Sequence, residues 1–177
     1  MGAVTEKAQG VRVVVCDTGP IFHLHQAGLL DWLAAAGEIY IPQAVEDELS
    51  ALISDWTELR PRWLRVKQGR TPPDEAMAVL CREMMLHDGE IDAISLAREV
   101  KAHWLLTDDA TARLVGESLK LEVHGSLGVI LWRAAQDDLN SQAARAGLRL
   151  PKSTSLWVSD RILSEAAAAL DEILHAR

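Results

Sequence analysis

Acidic side chains recur in separated stretches of the 177-residue chain: Asp17, then Glu48, then Glu90 and Asp92, then Asp108 and Asp109. Brought into one cleft, such carboxylates repel one another. Either their pKa values rise until some are neutral, or cations compensate them. Oxygen ligands without a nearby Cys or His suit a hard ion, Mg²⁺ or Mn²⁺, rather than zinc. A two-metal or metal-plus-water site of this composition orients and deprotonates water and stabilises charge on a phosphate in flight. The chemistry implied is hydrolysis of a phosphodiester.

Taken singly, each acid has a plainer use. Asp17 and Asp109 follow apolar runs and precede helical ones, where Asp is a favoured cap. Glu90 near a helix start is stabilised by the helix dipole alone. Only convergence separates the two readings, and convergence depends on the elements that carry the acids.

Val11 to Cys16 is a β-branched run of buried-strand type, stopped by Asp17-Thr18-Gly19-Pro20. Pro20 suits a first helical turn, and Ile21 to Ala36 continues as a helix that Gly37 ends. Ile39 to Ile41 reads as a strand, with Pro42 starting a helix through Val45, Leu49 and Ile53. In residues 55–72, alternation around Trp63 to Lys67 suggests a short edge strand. Pro72-Pro73 open a helix through Met84, and Asp88-Gly89 start another. Trp104 to Thr107, Ala110 to Leu119, Leu121 to His124 and the segment after Gly125-Ser126 read as strand, helix, strand, helix.

This alternation predicts an α/β fold, a three-layer α/β/α sandwich with a central parallel sheet. In such a sheet all strand C-terminal ends share one edge, and ligands bind there. Asp17, Asp108 and Asp109 directly follow strands. Glu90 and Asp92 open the crossover helix that feeds the strand Trp104 to Thr107, and Glu48 lies about two turns into its own helix, within side-chain reach. The topology alone therefore delivers all of them to one edge.

Met1 to Gly10 reads as a loose lead-in without the basic flank and apolar core of a signal segment. Residues 11–136 form the α/β domain. Residues 137–177 read as a C-terminal helical extension, packed on the domain or on a partner, with an amphipathic helix from Ser159 to His175. The two cysteines, Cys16 and Cys81, form no metal or redox motif and read as buried reduced thiols, and no apolar stretch reaches the ~20 residues of a membrane span. A cytoplasmic location follows. Net charge is −8, so polyanions are not attracted at long range, and any nucleic-acid role needs a local basic strip or metal ions. Six of the aromatics are Trp, scattered along the chain, which excludes an array of stacked rings for single strands.

Val14 to Leu24, with Asp17-Thr18-Gly19-Pro20, resembles the opening of a PIN domain, a metal-dependent nuclease fold. Ile41-Pro42-Gln43-Ala44-Val45-Glu46-Asp47-Glu48 is similar to that family's second acidic motif. Gly89 to Ala97 is similar to its third, and Leu106-Thr107-Asp108-Asp109 with Arg113 to its fourth. Gly125-Ser126-Leu127-Gly128-Val129 further resembles a bacterial and archaeal subgroup without assigned function. The resemblance implies ribonuclease activity with Mg²⁺ or Mn²⁺. It also implies a homodimer and, often, the toxin of a toxin–antitoxin pair, whose partner would be an antitoxin protein. Carried over by position, the catalytic, metal-binding acids are Asp17, Glu48, Asp92 and Asp109, with Glu90 and Asp108 as alternates. The small hydroxyl residue common two places after the first acid is Gly19 here, although Thr18 keeps a hydroxyl beside the site.

Arg60, Arg62, Arg65, Lys67 and Arg70 form a basic stretch with no acid between Arg60 and Arg70, a candidate contact for an RNA backbone. A solvated edge strand whose charges discourage aggregation explains it equally. Arg113, one turn after Asp109, could bind a phosphate or pair within the acidic cluster. His23 and His25 point about 200° apart on a helix and cannot chelate one ion, so one of them is expected to face solvent. Two functions remain: a divalent-metal ribonuclease, or a catalytically silent binding or regulatory module of the same fold. A phosphoacceptor receiver domain would want a Lys on a late strand–helix loop, and Lys120 precedes its strand instead.

Overall fold

The computed structural model describes residues 11–69, 72–136, 141–149 and 154–176. The β-branched run before Asp17 forms β1 (Val13–Cys16). The other strands are β2 (Glu38–Pro42), β3 (Leu64–Lys67), β4 (Trp104–Leu106) and β5 (Val123–His124). They make a five-stranded sheet in the order β3-β2-β1-β4-β5, with every pairing parallel. The basic strand β3 is an edge strand, as its alternation predicts.

The helices are α1 (Thr18–Gln26), α2 (Gln43–Leu52), α3 (Trp56–Leu59), α4 (Glu75–Glu83), α5 (Asp88–Glu99), α6 (Ala110–Ser118) and α7 (Ser126–Ala134). Period-two alternation distributes the strand side chains between two cores. Val14 and Cys16, Ile39 and Ile41, and Trp104 and Leu106 join one buried cluster, completed by Ile21 and Leu24 of α1, Val45 and Leu49 of α2, and Val129 and Ile130 of α7. Val15 and Leu105 face the opposite cluster, with Met77 of α4, Ile94 of α5 and Val115 of α6. Helices thus cover both faces of a parallel sheet, the expected sandwich.

The expected single helix Ile21–Ala36 is two pieces. α1 starts earlier, at Thr18, and its C-terminal turn runs into Gly28, which takes the left-handed φ of +70°. A 3₁₀ segment, Leu30–Ala36, follows. Gly37 then turns the chain at φ +135°, with its α-carbon so close to Arg12 that a Cβ would lie 2.1 Å from the Arg12 carbonyl oxygen. The short helix α3 also lies in a stretch whose sequence carries no clear period.

The expected lead-in Met1–Gly10 and residues 137–140, where the expected extension starts, lie outside the described residues. Beyond them are α8 (Ser141–Gly147) and α9 (Asp160–His175). Ala134 of α7, Ala144 of α8 and Leu170 of α9 are buried together, and Arg145 pairs with Asp171 at 2.6 Å. The helical tail therefore packs on the domain through α7. Cys16 and Cys81 are buried free thiols, and burial pushes both thiol pKa values up. Among the described residues no helix is long and apolar enough to cross a membrane.

Candidate active site

The C-terminal edge of the sheet opens into a cavity of about 380 Å³. The turn from β1 to α1 contributes Asp17, Thr18 and Gly19, and α1 contributes His23 one turn later. Glu48 enters from α2, His87 and Glu90 from the start of α5, and Asp108 and Asp109 from the loop after β4. Ser155, Leu156 and Trp157, from the segment before α9, complete the wall. Among the described residues no lysine or arginine lines it.

Asp17 lies deepest, 6% exposed. Its amide donates to the Leu106 carbonyl at 2.9 Å, fixing the end of β1 against the end of β4. It occupies the N-cap position of α1, but its carboxylate makes no cap hydrogen bond. Instead the Thr107 hydroxyl donates to it at 3.0 Å. Burial pushes its pKa up to about 7, with the Thr18 amide and Thr107 hydroxyl opposing and the charges of Glu90 and Glu48 adding to the rise. Capping explains Asp109 better: its Oδ1 accepts from the Ala112 amide at 2.7 Å, opening α6.

Three neighbouring acids in α2 have separate fates. Glu46, 7% exposed, accepts from the Trp56 indole at 2.9 Å and from Arg60 at 2.6 Å. Asp47 accepts from Gln43 at 2.7 Å. Glu48 alone of the three turns to the cavity, where the Thr18 hydroxyl donates to it. Its carboxylate rests on the α5 backbone at Gly89, where a Cβ would lie 2.5 Å from Oε1.

On α5 the cavity receives Glu90 and not Asp92. Residues two apart on a helix diverge by about 200°, so only one of the pair can face a given side. Asp92 is buried, 8% exposed, away from the cavity lining. Glu90 accepts from the His87 amide at 2.8 Å, closing the first turn of α5.

Asp108 is held from both sides. The Ser126 amide donates to its Oδ1 at 2.7 Å, the Ser126 hydroxyl to its Oδ2 at 2.6 Å, and His23 Nδ1 approaches Oδ2 at 2.8 Å. A Cβ on Gly19 would lie 3.3 Å from the Asp108 Cβ, so glycine lets this loop sit close against α1. The polar partners of the acids then come from Thr18 and His23 rather than position 19. Sequence spacing separates His23 from His25 but does not pair His23 with Asp108. His23 and His25 are both half-buried, and His25 is edge-on to Trp56, with ring centroids 6.4 Å apart.

The basic residues stand apart from this cavity. Arg60 pairs with Glu46, Arg65 with Glu38 at 3.1 Å, and Lys67 with Glu99 at 3.7 Å. Arg62 is exposed, and Arg70 lies outside the described residues. Arg113 donates to the carbonyls of Val123 at 3.1 Å and Thr107 at 3.4 Å, tying β5 to the end of β4. Among the described residues, no three His, Cys, Asp or Glu side chains are grouped closely enough to hold a metal ion as they stand.

A family model described as a PIN domain matches residues 13–172, nearly the whole chain. The chain belongs to the PIN-domain family. No curated protein matches it significantly. PIN domains are generally nucleases and typically use divalent metals. The match runs into α9, so the segment carrying Trp157 falls inside the PIN-domain region. That segment's place in the cavity wall was not legible from spacing. Its signals are the apolar run Leu156-Trp157-Val158 within a polar stretch and a weak resemblance of Leu156 to Ser159 to the end of the PIN subgroup.

Proposed function

We propose that the chain is a divalent-metal-dependent endoribonuclease that hydrolyses RNA phosphodiesters with metal-activated water, a hydrolase acting in the cytoplasm. The observation that supports this most is the buried Asp17 carboxylate, at about pKa 7, facing Glu48 and Glu90 in a cavity without a lysine or arginine among its described lining residues. Uncompensated carboxylates in a cleft are costly. The carboxylate oxygens suit a hard dication, Mg²⁺ or Mn²⁺, although His23 and His87 also line the cavity, contrary to the expectation of no nearby histidine.

Asp17, Glu48, Glu90 and Asp109 would hold the metal, Asp109 through the oxygen not engaged by Ala112. When bound, the metal supplies Lewis acidity toward the phosphate and toward water. The chain's own residues set the geometry. Thr18 orients Glu48, which is placed to position the attacking water. Thr107 orients Asp17, and His23 with Ser126 fixes the loop bearing Asp108 and Asp109. Arg60, Arg62, Arg65 and Lys67 would meet the RNA backbone flanking the site, and a homodimeric toxin with an antitoxin partner is the biological setting proposed.

An RNA-cleavage assay with Mg²⁺ or Mn²⁺, against EDTA, tests the activity. Asp17→Asn is expected to lower turnover at least about 100-fold with the fold intact; unchanged turnover refutes the assignment.

One observation favours a second reading, a catalytically silent binding module. Asp108, Asp109 and Glu90 each accept structural hydrogen bonds, from Ser126, Ala112 and the His87 amide. Thermal melting separates the two: stabilisation by Mn²⁺ without cleavage of single-stranded or structured RNA marks the module.

A further inference from the structure

Trp157 is 85% exposed, the most exposed of the chain's large apolar side chains among the described residues. The other tryptophans, Trp32, Trp56, Trp63, Trp104 and Trp132, are buried or half-buried. Leaving an indole in water forgoes much favourable burial. Its position is not arbitrary, because it lines the same cavity as Asp17 and Glu90.

The segment that presents it is anchored. The Gln26 side-chain carbonyl, at the end of α1, accepts from the Ser155 amide at 3.1 Å and from its hydroxyl at 3.2 Å. Leu156 packs against the main core, while the next residue, Trp157, stands outward at the cavity rim. Electrostatics supplies the second argument. The chain carries −8, its cavity is acidic, and Arg60, Arg65 and Lys67 each have a carboxylate partner. Contacts that need no positive charge then add to what Arg62, these paired cations and a bound dication offer a polyanion. Stacking on an aromatic ring is such a contact, and it tolerates any base because every base has a π-face.

We propose that Trp157 is the stacking platform for a nucleobase of single-stranded RNA beside the scissile phosphate. It sets a preference for unpaired RNA over duplex, and Gln26 acts as its positioning residue. A single ring at the rim suffices for this, without the array of rings that the scattered tryptophans exclude. The inference rests on reading the cavity as a phosphodiester site, and its test is chosen to separate the two.

Binding is measured in the Asp17→Asn background by fluorescence anisotropy of a short labelled single-stranded oligoribonucleotide. An oligomer of equal length and charge carrying abasic positions is the comparison. Adding Trp157→Ala is expected to weaken binding of the base-bearing strand about tenfold or more. Trp157→Phe recovers most of the affinity, Gln26→Ala loses part of it, and the abasic strand is indifferent to all three changes. Equal affinities of the base-bearing strand for all the proteins overturn the proposal. So does a Trp157→Ala change confined to the sedimentation coefficient, which would assign the ring to a protein interface. Cleavage by the wild-type chain is read in parallel. Cleavage with Trp157→Ala indifferent sinks this inference alone, whereas Trp157-dependent binding without cleavage sinks only the nuclease reading.

Discussion

Asp17 concentrates the cost of this site. The β1 run ends so that the next residue lands beside the end of β4, and burial there opposes ionisation. Because its folded pKa is raised from 3.8 to about 7, the folded state binds a proton that the unfolded state releases. This contribution to stability is fully present below the unfolded value and is lost as pH rises through the folded one. The metal-free protein is therefore expected to lose on the order of a few kcal/mol between about pH 4 and pH 7, at about 1.4 kcal/mol per pKa unit. Urea titrations at stepped pH in EDTA check this, and Asp17→Asn should flatten the slope and stabilise the metal-free chain at neutral pH. A slope unchanged by the substitution would remove Asp17 as its cause. Type and spacing single out Asp17 as a candidate, since it directly follows the first strand, but leave its use as a helix cap equally open. They do not identify its partner Thr107, nor Ser126 and His23, which hold the neighbouring Asp108 and come from segments far apart along the chain.

At the scale of elements, α5 decides what the cavity contains. Its spacing says that Glu90 and Asp92 cannot face the same side, but not which of them faces the acids, because α5 is buried around most of its circumference, from Asp92 through Ala97. The close approach of α2 to α5 adds a further constraint at Gly89. Gly89 is the second residue of α5, in its first turn, where the roughly 0.5–1 kcal/mol by which alanine is favoured over glycine in a helix interior applies only in part. Here a Cβ would meet Glu48 Oε1 at 2.5 Å and Oε2 at 2.9 Å. Gly89→Ala is accordingly expected to shift the melting temperature little while displacing Glu48 and lowering metal-dependent turnover about tenfold or more. Thermal melts and cleavage rates on the same sample check it, and a variant with full turnover would show that Glu48 is dispensable. The helix that splits into α1 and a 3₁₀ segment shows the opposite limit of sequence reading. Apolar spacing runs through Gly28 without interruption, and only the left-handed turn there reveals the break.

For the whole molecule, the parallel sheet with helices on both faces follows from the order of β-branched runs and helical periods, each strand stopped by Asp, Pro or Gly. The return of the tail does not follow. Residues 154–159 carry neither period, and their course depends on Gln26 and the core contact of Leu156 rather than on local preference. Closing the cavity with distant segments also couples the metal to global stability. Mn²⁺ at a hundred times its dissociation constant should stabilise the chain by about 2.7 kcal/mol. That shift should vanish on EDTA addition, and melting with and without metal measures it. The most direct test is a crystal soaked in Mn²⁺, with the anomalous signal locating the ion. A peak is expected in the acidic cavity, coordinated by Asp17 with oxygens from Glu48, Glu90 or Asp109. A cavity left empty under saturating Mn²⁺, or an ion bound elsewhere with Asp17 uninvolved, would contradict it.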